Sequence, residues 1–279
     1  MINFEKLHGI GNDFIIIDDR DNQISTYNEI ARKMCDRRFG IGADGFMVVK
    51  QSQIADIQML FFNADGSQAP MCGNGIRCFS KYVYDHQIVK DKNFIVETLG
   101  GMMRPEIFTD ELGETASVKV NLGQPKLIPQ DIPVATEKDL FFDETIEIEG
   151  KIFKISALQI GSVHAVIFID NVEDFDIDYY GPRIETHSLF PKKINVNFCQ
   201  VIDKNELKVI TWERGVGQTL ACGTGAACAA YMHNALYDGE QLAKVNLLGG
   251  AVIIELVEDT VYMTGPAEFI CKGEYRWMG

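Results

Sequence analysis

Short apolar runs bounded by Gly, Asn and Asp recur along the chain, and they set its first reading. Residues 14–17, 46–49, 57–62, 93–98, 117–121, 147–155, 165–169 and 208–212 are rich in Ile, Val and Phe and read as strands. Helical spacing is rarer. It is found at 27–36, at Ile76, Phe79 and Val83, and in the Ala-rich stretch 226–230. Many strands interrupted by few helices predict an α+β architecture in which each half of the chain is a curved, strand-rich sheet around one central helix.

The halves are copies. Met71-Cys72-Gly73-Asn74-Gly75-Ile76-Arg77-Cys78 returns as Ala221-Cys222-Gly223-Thr224-Gly225-Ala226-Ala227-Cys228, and 222 minus 72 and 228 minus 78 both give 150. At that offset Asn63 falls on Glu213, Ala64 on Arg214 and Gln68 on Gln218, and at an offset of 149 Leu99-Gly100-Gly101 returns as Leu248-Gly249-Gly250. By similarity of apolar residues, 14–18 aligns with 166–170 at an offset of 152, which sets His164 against Asn12. So long a period indicates two domains and not a solenoid. The expected domains are 1–121 plus 267–279, and 122–266, with the Pro-bearing stretch 123–133 as the link. Residues 136–149 have no counterpart in the first copy.

Charge narrows the partners. The chain has 279 residues, 26 Lys and Arg against 40 Asp and Glu, a net charge of -14 and no compensating basic cluster. Nucleic acid and anionic membranes are therefore excluded as partners, and a small molecule is expected. No apolar run approaches the length of a membrane span and the start lacks a signal pattern, so the expected location is cytoplasmic. Seven cysteines, an odd number, fit a reducing compartment better than a disulfide framework.

Cys72 and Cys222 each precede a Gly-x-Gly turn and a helical run, which places each beside a helix N-terminus. Backbone N–H groups there favour negative charge, so such a site binds a carboxylate and depresses a thiol pKa. Two thiols on opposite faces of one carbon would exchange its proton and invert it. Four other readings compete. Zinc is disfavoured because Cys-x5-Cys lacks structural-zinc spacing, and no metal is expected. Core packing suits Cys78 and Cys228. A single Cys with His164 as base leaves the second cysteine unexplained. A binding module without catalysis needs no thiol at both turns. The Gly40–Gly45 turn lacks phosphate-loop spacing, and no pyridoxal phosphate motif is evident. Glu213 and Arg214 follow a strand at the place of Asn63, where Arg214 suits a carboxylate and Glu213 an ammonium. His8 and Asn12 read first as turn residues, with Asn12 tolerating a left-handed conformation.

Taken together, His8-Gly9-Ile10-Gly11-Asn12-Asp13-Phe14, Phe62-Asn63-Ala64-Asp65-Gly66-Ser67, the Cys72–Cys78 turn, Trp212-Glu213-Arg214-Gly215 and Ala221-Cys222-Gly223-Thr224-Gly225 resemble the diaminopimelate epimerase family over nearly the whole chain. The resemblance implies a PLP-independent isomerase, with no cofactor, that interconverts LL- and meso-diaminopimelate for lysine and cell-wall precursor synthesis. It also implies two similar domains with the active site in the cleft between them, and a homodimer. A relative acting on another amino acid, such as a lanthionine-like thioether, is the alternative. Carried over, Cys72 and Cys222 are the catalytic acid and base, and His164 with Glu213 tunes the thiols. Gly73, Asn74, Gly223 and Thr224 hold the reacting carboxylate, while Asn12, Asn63, Asn195, Glu213 and Arg214 bind the distal end. Three positions depart from the family: Ser162 stands where an Asn is usual, Gly45 where many members have Gln, and Cys271 where some have a Tyr at the dimer contact.

Overall fold

A computed structural model of the chain describes residues 1–277. Packing divides the chain into unit 1, residues 1–121 with the return from 264 onward, and unit 2, residues 122–263. Of the expected returning segment 267–279, residues 278 and 279 lie outside the described residues.

Unit 1 opens with the antiparallel hairpin β1 (Ile2–Gly9) and β2 (Asn12–Asp18). It continues through α1 (Tyr27–Met34), β3 (Gly45–Lys50), β4 (Ile57–Asn63), β5 (Gln68–Ala69), α2 (Gly73–Asp85), β6 (Val96–Thr98) and β7 (Gly101–Met103). A hairpin of β8 (Glu106–Thr109) and β9 (Thr115–Gly123) follows. Unit 2 runs through β10 (Glu144–Ile148), β11 (Lys151–Ile160), β12 (Ser162–Phe168), α3 (Ile177–Glu185), β13 (Asn195–Asp203), β14 (Glu206–Glu213) and β15 (Gly217–Thr219). Then come α4 (Gly223–Tyr237), β16 (Leu242–Leu247), β17 (Gly250–Val257) and β18 (Thr260–Gly265). The last strand, β19 (Glu268–Tyr275), pairs with β1.

The duplicated, strand-rich α+β architecture is realised strand for strand. Unit 1 has the order β19-β1-β2-β3-β4-β6-β7 and unit 2 contains β10-β11-β12-β13-β14-β16-β17, with β5 and β15 as short additions to β4 and β14. From β1/β2 and from β11/β12 onward, pairs alternate antiparallel and parallel in the same sequence. The segment 136–149, which has no counterpart in sequence, supplies β10, and β19 from the far end of the chain fills the matching place beside β1.

Register corrects one alignment. Phe14 pairs with Gly45 and Met47 with Phe61 in unit 1, while His164 pairs with Asn195 and Asn197 with Thr211 in unit 2. The offset is thus 150 here too: Ser162 matches Asn12, and His164 matches Phe14. The apparent 152 came from matching residues 14–18 to 166–170 by similarity alone, two residues out of the register that strand pairing sets. A two-residue error preserves strand alternation, so apolar similarity alone does not reveal it.

Each sheet buries both faces. In unit 1, Ile15, Ile17, Phe46, Val48 and Phe62 pack with Ile30, Ala31 and Met34 of α1. In unit 2, Ala165, Ile167, Val196, Phe198 and Ile210 pack with Ile177 and Ile184 of α3. Alternation turns the intervening residues to the opposite face, where α2 contacts β1–β3 and α4 contacts β11–β14, β16 and β17. The outer helix α3 is absent from the sequence reading because Gly181 and Pro182 sit inside it. Gly181 is required there, since a Cβ would meet the Trp212 ring at 2.7 Å. Asp176 caps its start by accepting the Tyr179 N–H at 2.9 Å. The single strand expected at 147–155 is instead the β10–β11 hairpin, turned by Glu149 at φ 51° and Gly150 at φ 80°. Among the described residues, no helix is long and apolar enough to cross a membrane.

Candidate active site

Both first cysteines occupy the N-cap position of their helices. Cys72 is extended before α2 and Cys222 before α4, and their carbonyls accept the first intrahelical bonds, from Ile76 N and Ala226 N, each at 2.9 Å. The side chain of an N-cap residue lies beside the first N–H groups of the helix, which point out of its end. Those groups belong to Gly73 and Asn74 in one unit and to Gly223 and Thr224 in the other, so each thiol sits at a ready-made carboxylate site. The third-position glycines let the turns pack tightly. A Cβ on Gly75 would stand 2.5 Å from Met47 Cε, and one on Gly225 would overlap Asn197 Oδ1.

In unit 1, Asn12 begins β2 and reaches the Cys72 turn. Its Nδ2 donates to Asp44 Oδ2 at 2.7 Å, which orients its Oδ1 to accept from Asn74 Nδ2 at 3.2 Å and toward Cys72 Sγ at 3.9 Å. The left-handed turn residues are Ile10 (φ 51°) and Gly11 (φ 90°), not Asn12, and His8 Nδ1 closes that turn by accepting the Gly11 N–H. Asp44 is itself held by Arg37, which also grips Asp13. Burial would raise the Asp13 carboxyl, but hydrogen bonds from Arg37 and Lys6 outweigh it and hold the pKa down at about 2. Asn63, at the end of β4, is exposed and donates to Ser67 Oγ at 3.0 Å. Gly45 has no space for a longer side chain, since a Cβ would stand 2.6 Å from the Phe61 ring.

In unit 2, Cys222 Sγ lies 3.6 Å from Thr224 Oγ1, which lies 3.0 Å from His164 Nε2 and 3.4 Å from Ser162 Oγ. Ser162 Oγ is also 2.8 Å from His164 Nε2. His164 is fully buried, and burial, reinforced by the nearby Arg214 charge, lowers its pKa to about 3, so the ring is neutral at physiological pH. Its Nδ1 faces Asn197 Nδ2 at 3.1 Å and its Nε2 faces hydroxyls, so neither nitrogen is placed as a general base; the single-cysteine reading with His164 as base loses its support. Asn195 is nearly buried and fully engaged, donating to Val163 O and Ser162 Oγ and accepting from Arg214 N. Its amide therefore positions the start of the Glu213–Arg214 turn. Glu213 accepts from Thr219 Oγ1 at 2.7 Å, and the exposed Arg214 guanidinium donates to Lys192 O.

Two groups escaped the sequence reading. Asp44 orients Asn12, and Asn197 with Thr211 lies beneath the Cys222 turn. The available signal for Asn197 was a polar residue at an inward position of an apolar strand, opposite Met47 in the repeat. Four other cysteines, Cys35, Cys78, Cys199 and Cys228, are buried and burial pushes their thiols up, Cys35 and Cys78 to about 12. They stay protonated, and of the remaining three, Cys72, Cys222 and the half-buried Cys271 of β19, only Cys72 and Cys222 lie at a helix N-terminus. Unit 1 also holds an open cavity of about 1010 Å³ beside β1, lined among others by Glu5, Asp18, Arg20 and Lys272, and no candidate site residue lines it.

The family model for diaminopimelate epimerase matches residues 4–128 and 156–270. A diaminopimelate epimerase of Caldanaerobacter subterraneus is 46% identical over 272 residues, covering 97% of this chain and 98% of that protein. One from Methanococcus maripaludis is 44% identical over 275 residues, covering 97% and 98%. Among solved structures, a PhzF-family phenazine biosynthesis protein of Bacillus anthracis superposes with a TM-score of 0.72 at 15% identity, covering 99% of each chain. A probable proline racemase of Agrobacterium radiobacter gives 0.70 at 13% identity, covering 99% of this chain and 93% of that one; these two likenesses concern the fold. With the family match spanning both copies of the cysteine turn, the chain belongs to the diaminopimelate epimerase family of isomerases.

Proposed function

We propose that this protein epimerises diaminopimelate at its α-carbon without a cofactor, using Cys72 and Cys222 as the acid–base pair. The observation that carries the reading is the duplicated N-cap thiol, each set against the donor end of a helix. One thiolate removes the Cα proton and becomes a thiol. The charge left on carbon spreads into the α-carboxylate, where the helix N–H groups stabilise it. The other thiol delivers its proton to the opposite face and becomes the thiolate. Atoms and charge balance, and the reverse reaction resets the pair. A Cα–H beside a carboxylate is very weakly acidic, so oriented backbone donors in a water-poor site are the principal source of stabilisation.

In this reading Asn12, Asn63, Asn195, Glu213 and Arg214 recognise or shape the place of the distal amino acid group. His164 and Glu213 act on the thiols, His164 through Thr224. We further propose a cytoplasmic homodimer. What supports the dimer is β19, an edge strand with Phe269 and Ile270 half exposed; sedimentation of the wild type against Phe269→Glu tests it. The chemical proposal is tested in deuterated water by NMR of the diaminopimelate α-proton. We expect exchange without pyridoxal absorbance, and loss of turnover in both Cys72→Ala and Cys222→Ala. Full activity in either variant would rule out the two-thiol mechanism.

A further inference from the structure

Beneath the Cys222 turn, three inward positions of unit 2 carry His164, Asn197 and Thr211; their register mates in unit 1 are Phe14, Met47 and Phe61. The hydrocarbon set packs as such, with Phe14 and Phe61 edge to face at 6.1 Å. The polar set is joined by buried hydrogen bonds, which offset the cost of taking these groups out of water.

We propose that Asn197, held by Thr211, is a positioning residue for the reaction: it fixes His164 as the Nε2–H tautomer, which aims the Thr224 hydroxyl hydrogen at the Cys222 sulfur and stabilises its thiolate. The proposal rests on the reading of Cys222 as a proton-transferring group. The direction of every bond follows from one backbone group. Ala165 O can only accept, so the Asn197 atom 2.9 Å from it is Nδ2. The second hydrogen of that amide then meets His164 Nδ1 at 3.1 Å, while Thr211 Oγ1 donates to Oδ1 at 3.0 Å and fills the other side. With Nδ1 accepting, the neutral ring carries its hydrogen on Nε2 and donates it to Ser162 Oγ and Thr224 Oγ1. Ser162 Oγ also accepts from Asn195 Nδ2, whose orientation is set in the same way by Val163 O and Arg214 N. Thr224, accepting from this side, has its own hydrogen for Cys222 Sγ at 3.6 Å.

The column keeps this polarity where thiols titrate. His164 is neutral there, and the neighbouring thiols Cys199 on β13 and Cys228 on α4 are held protonated by burial. The charged groups closing β14 are Glu213, bonded to Thr219, and Arg214. Of the buried residues on the α4 side of β11, β16 and β17, Leu158 and Ile160, Ala243 and Val245, Val252 and Ile254 are apolar, and Ser156 is uncharged and accepts from the Asp143 N–H.

The test is Asn197→Met, the residue that unit 1 carries at this position. In full-length protein without substrate, the pH dependence of iodoacetamide alkylation is followed at Cys222 and Cys72 by peptide mass spectrometry. A hydrogen bond to an ionised group is worth about one pKa unit, so the Cys222 profile should move up by about one unit while that of Cys72 stays. Thr211→Ser, which keeps the hydroxyl, should leave both profiles in place. If Asn197→Met fails to fold, ¹⁵N NMR of the wild-type imidazoles decides instead, and must show His164 as the Nε2–H tautomer. An unmoved Cys222 profile, a shift shared by both cysteines, or an Nδ1–H tautomer would overturn the proposal. Because alkylation is read without turnover, these outcomes are separate from activity surviving in Cys222→Ala, which would instead remove the two-thiol reading.

Discussion

The two units place a thiol on the same kind of helix end, above the same strand register, and then fill the space beneath it with opposite chemistry. Under Cys72 lie Phe14, Met47 and Phe61; under Cys222 lie His164, Asn197 and Thr211. One link survives in both. The residue after the first helix glycine reaches the start of the second strand, Asn74 to Asn12 and Thr224 to Ser162. Duplication has therefore conserved backbone geometry and the cysteine frame while giving the two thiols unlike surroundings. For a reaction in which one thiol begins as base and the other as acid, unlike surroundings are a chemical asset.

The comparison is most exposed at acid pH. His164 has a folded pKa of about 3, below its unfolded value near 6.5, so the unfolded chain binds the proton first. Its environment is fully tolerated above pH 6.5, and stability falls as pH drops from there toward 3. The acid-sensitive groups of unit 1 are carboxyls, among them Asp13, lowered to about 2, and Asp19, also lowered, and their stabilising contribution is lost only as pH falls below about 4. Unit 2 should therefore weaken first, by on the order of 1 kcal/mol per pH unit. Hydrogen exchange between pH 6 and 4 checks this; earlier loss of protection in β1–β4 than in β11–β14 would contradict it.

Next in size come the turn glycines. In Gly225→Ala the new methyl group overlaps Asn197 Oδ1, an atom held by the Thr211 hydroxyl, so the column must break. We expect a loss of about 3 kcal/mol. In Gly75→Ala it meets the terminal methyl of Met47, which is free to change rotamer, and the loss should be about 1 kcal/mol. Urea denaturation compares the pair, and equal losses would mean that the layers differ in composition but not in rigidity.

The smallest effect is expected for Thr211→Val. The shape is kept and one buried acceptor, Asn197 Oδ1, loses its donor, for about 1 kcal/mol. A melting curve indistinguishable from the wild type would show that the hydroxyl adds nothing to the column.

Much of this was legible locally. The repeated Cys-Gly-x-Gly frame, the apolar strand runs and the helices starting at Gly73 and Gly223 are written in adjacent residues, because turn chemistry and helix starts depend on short-range sterics and hydrogen bonding. The four core thiols could not be sorted from the two N-cap thiols by spacing alone, except that Cys78 and Cys228 lie on a buried helix face. The helix at Ile177–Glu185 was hidden because Gly181 and Pro182 speak against it locally, whereas packing of Gly181 on Trp212 holds it. The partnership of His164 was decided only by tertiary structure. Whether it matches Asn12 or Phe14 depends on strand pairing across 31 residues, His164 with Asn195 as Phe14 with Gly45. A strand's own sequence specifies that its faces alternate; what each face meets is settled by the register of its neighbours.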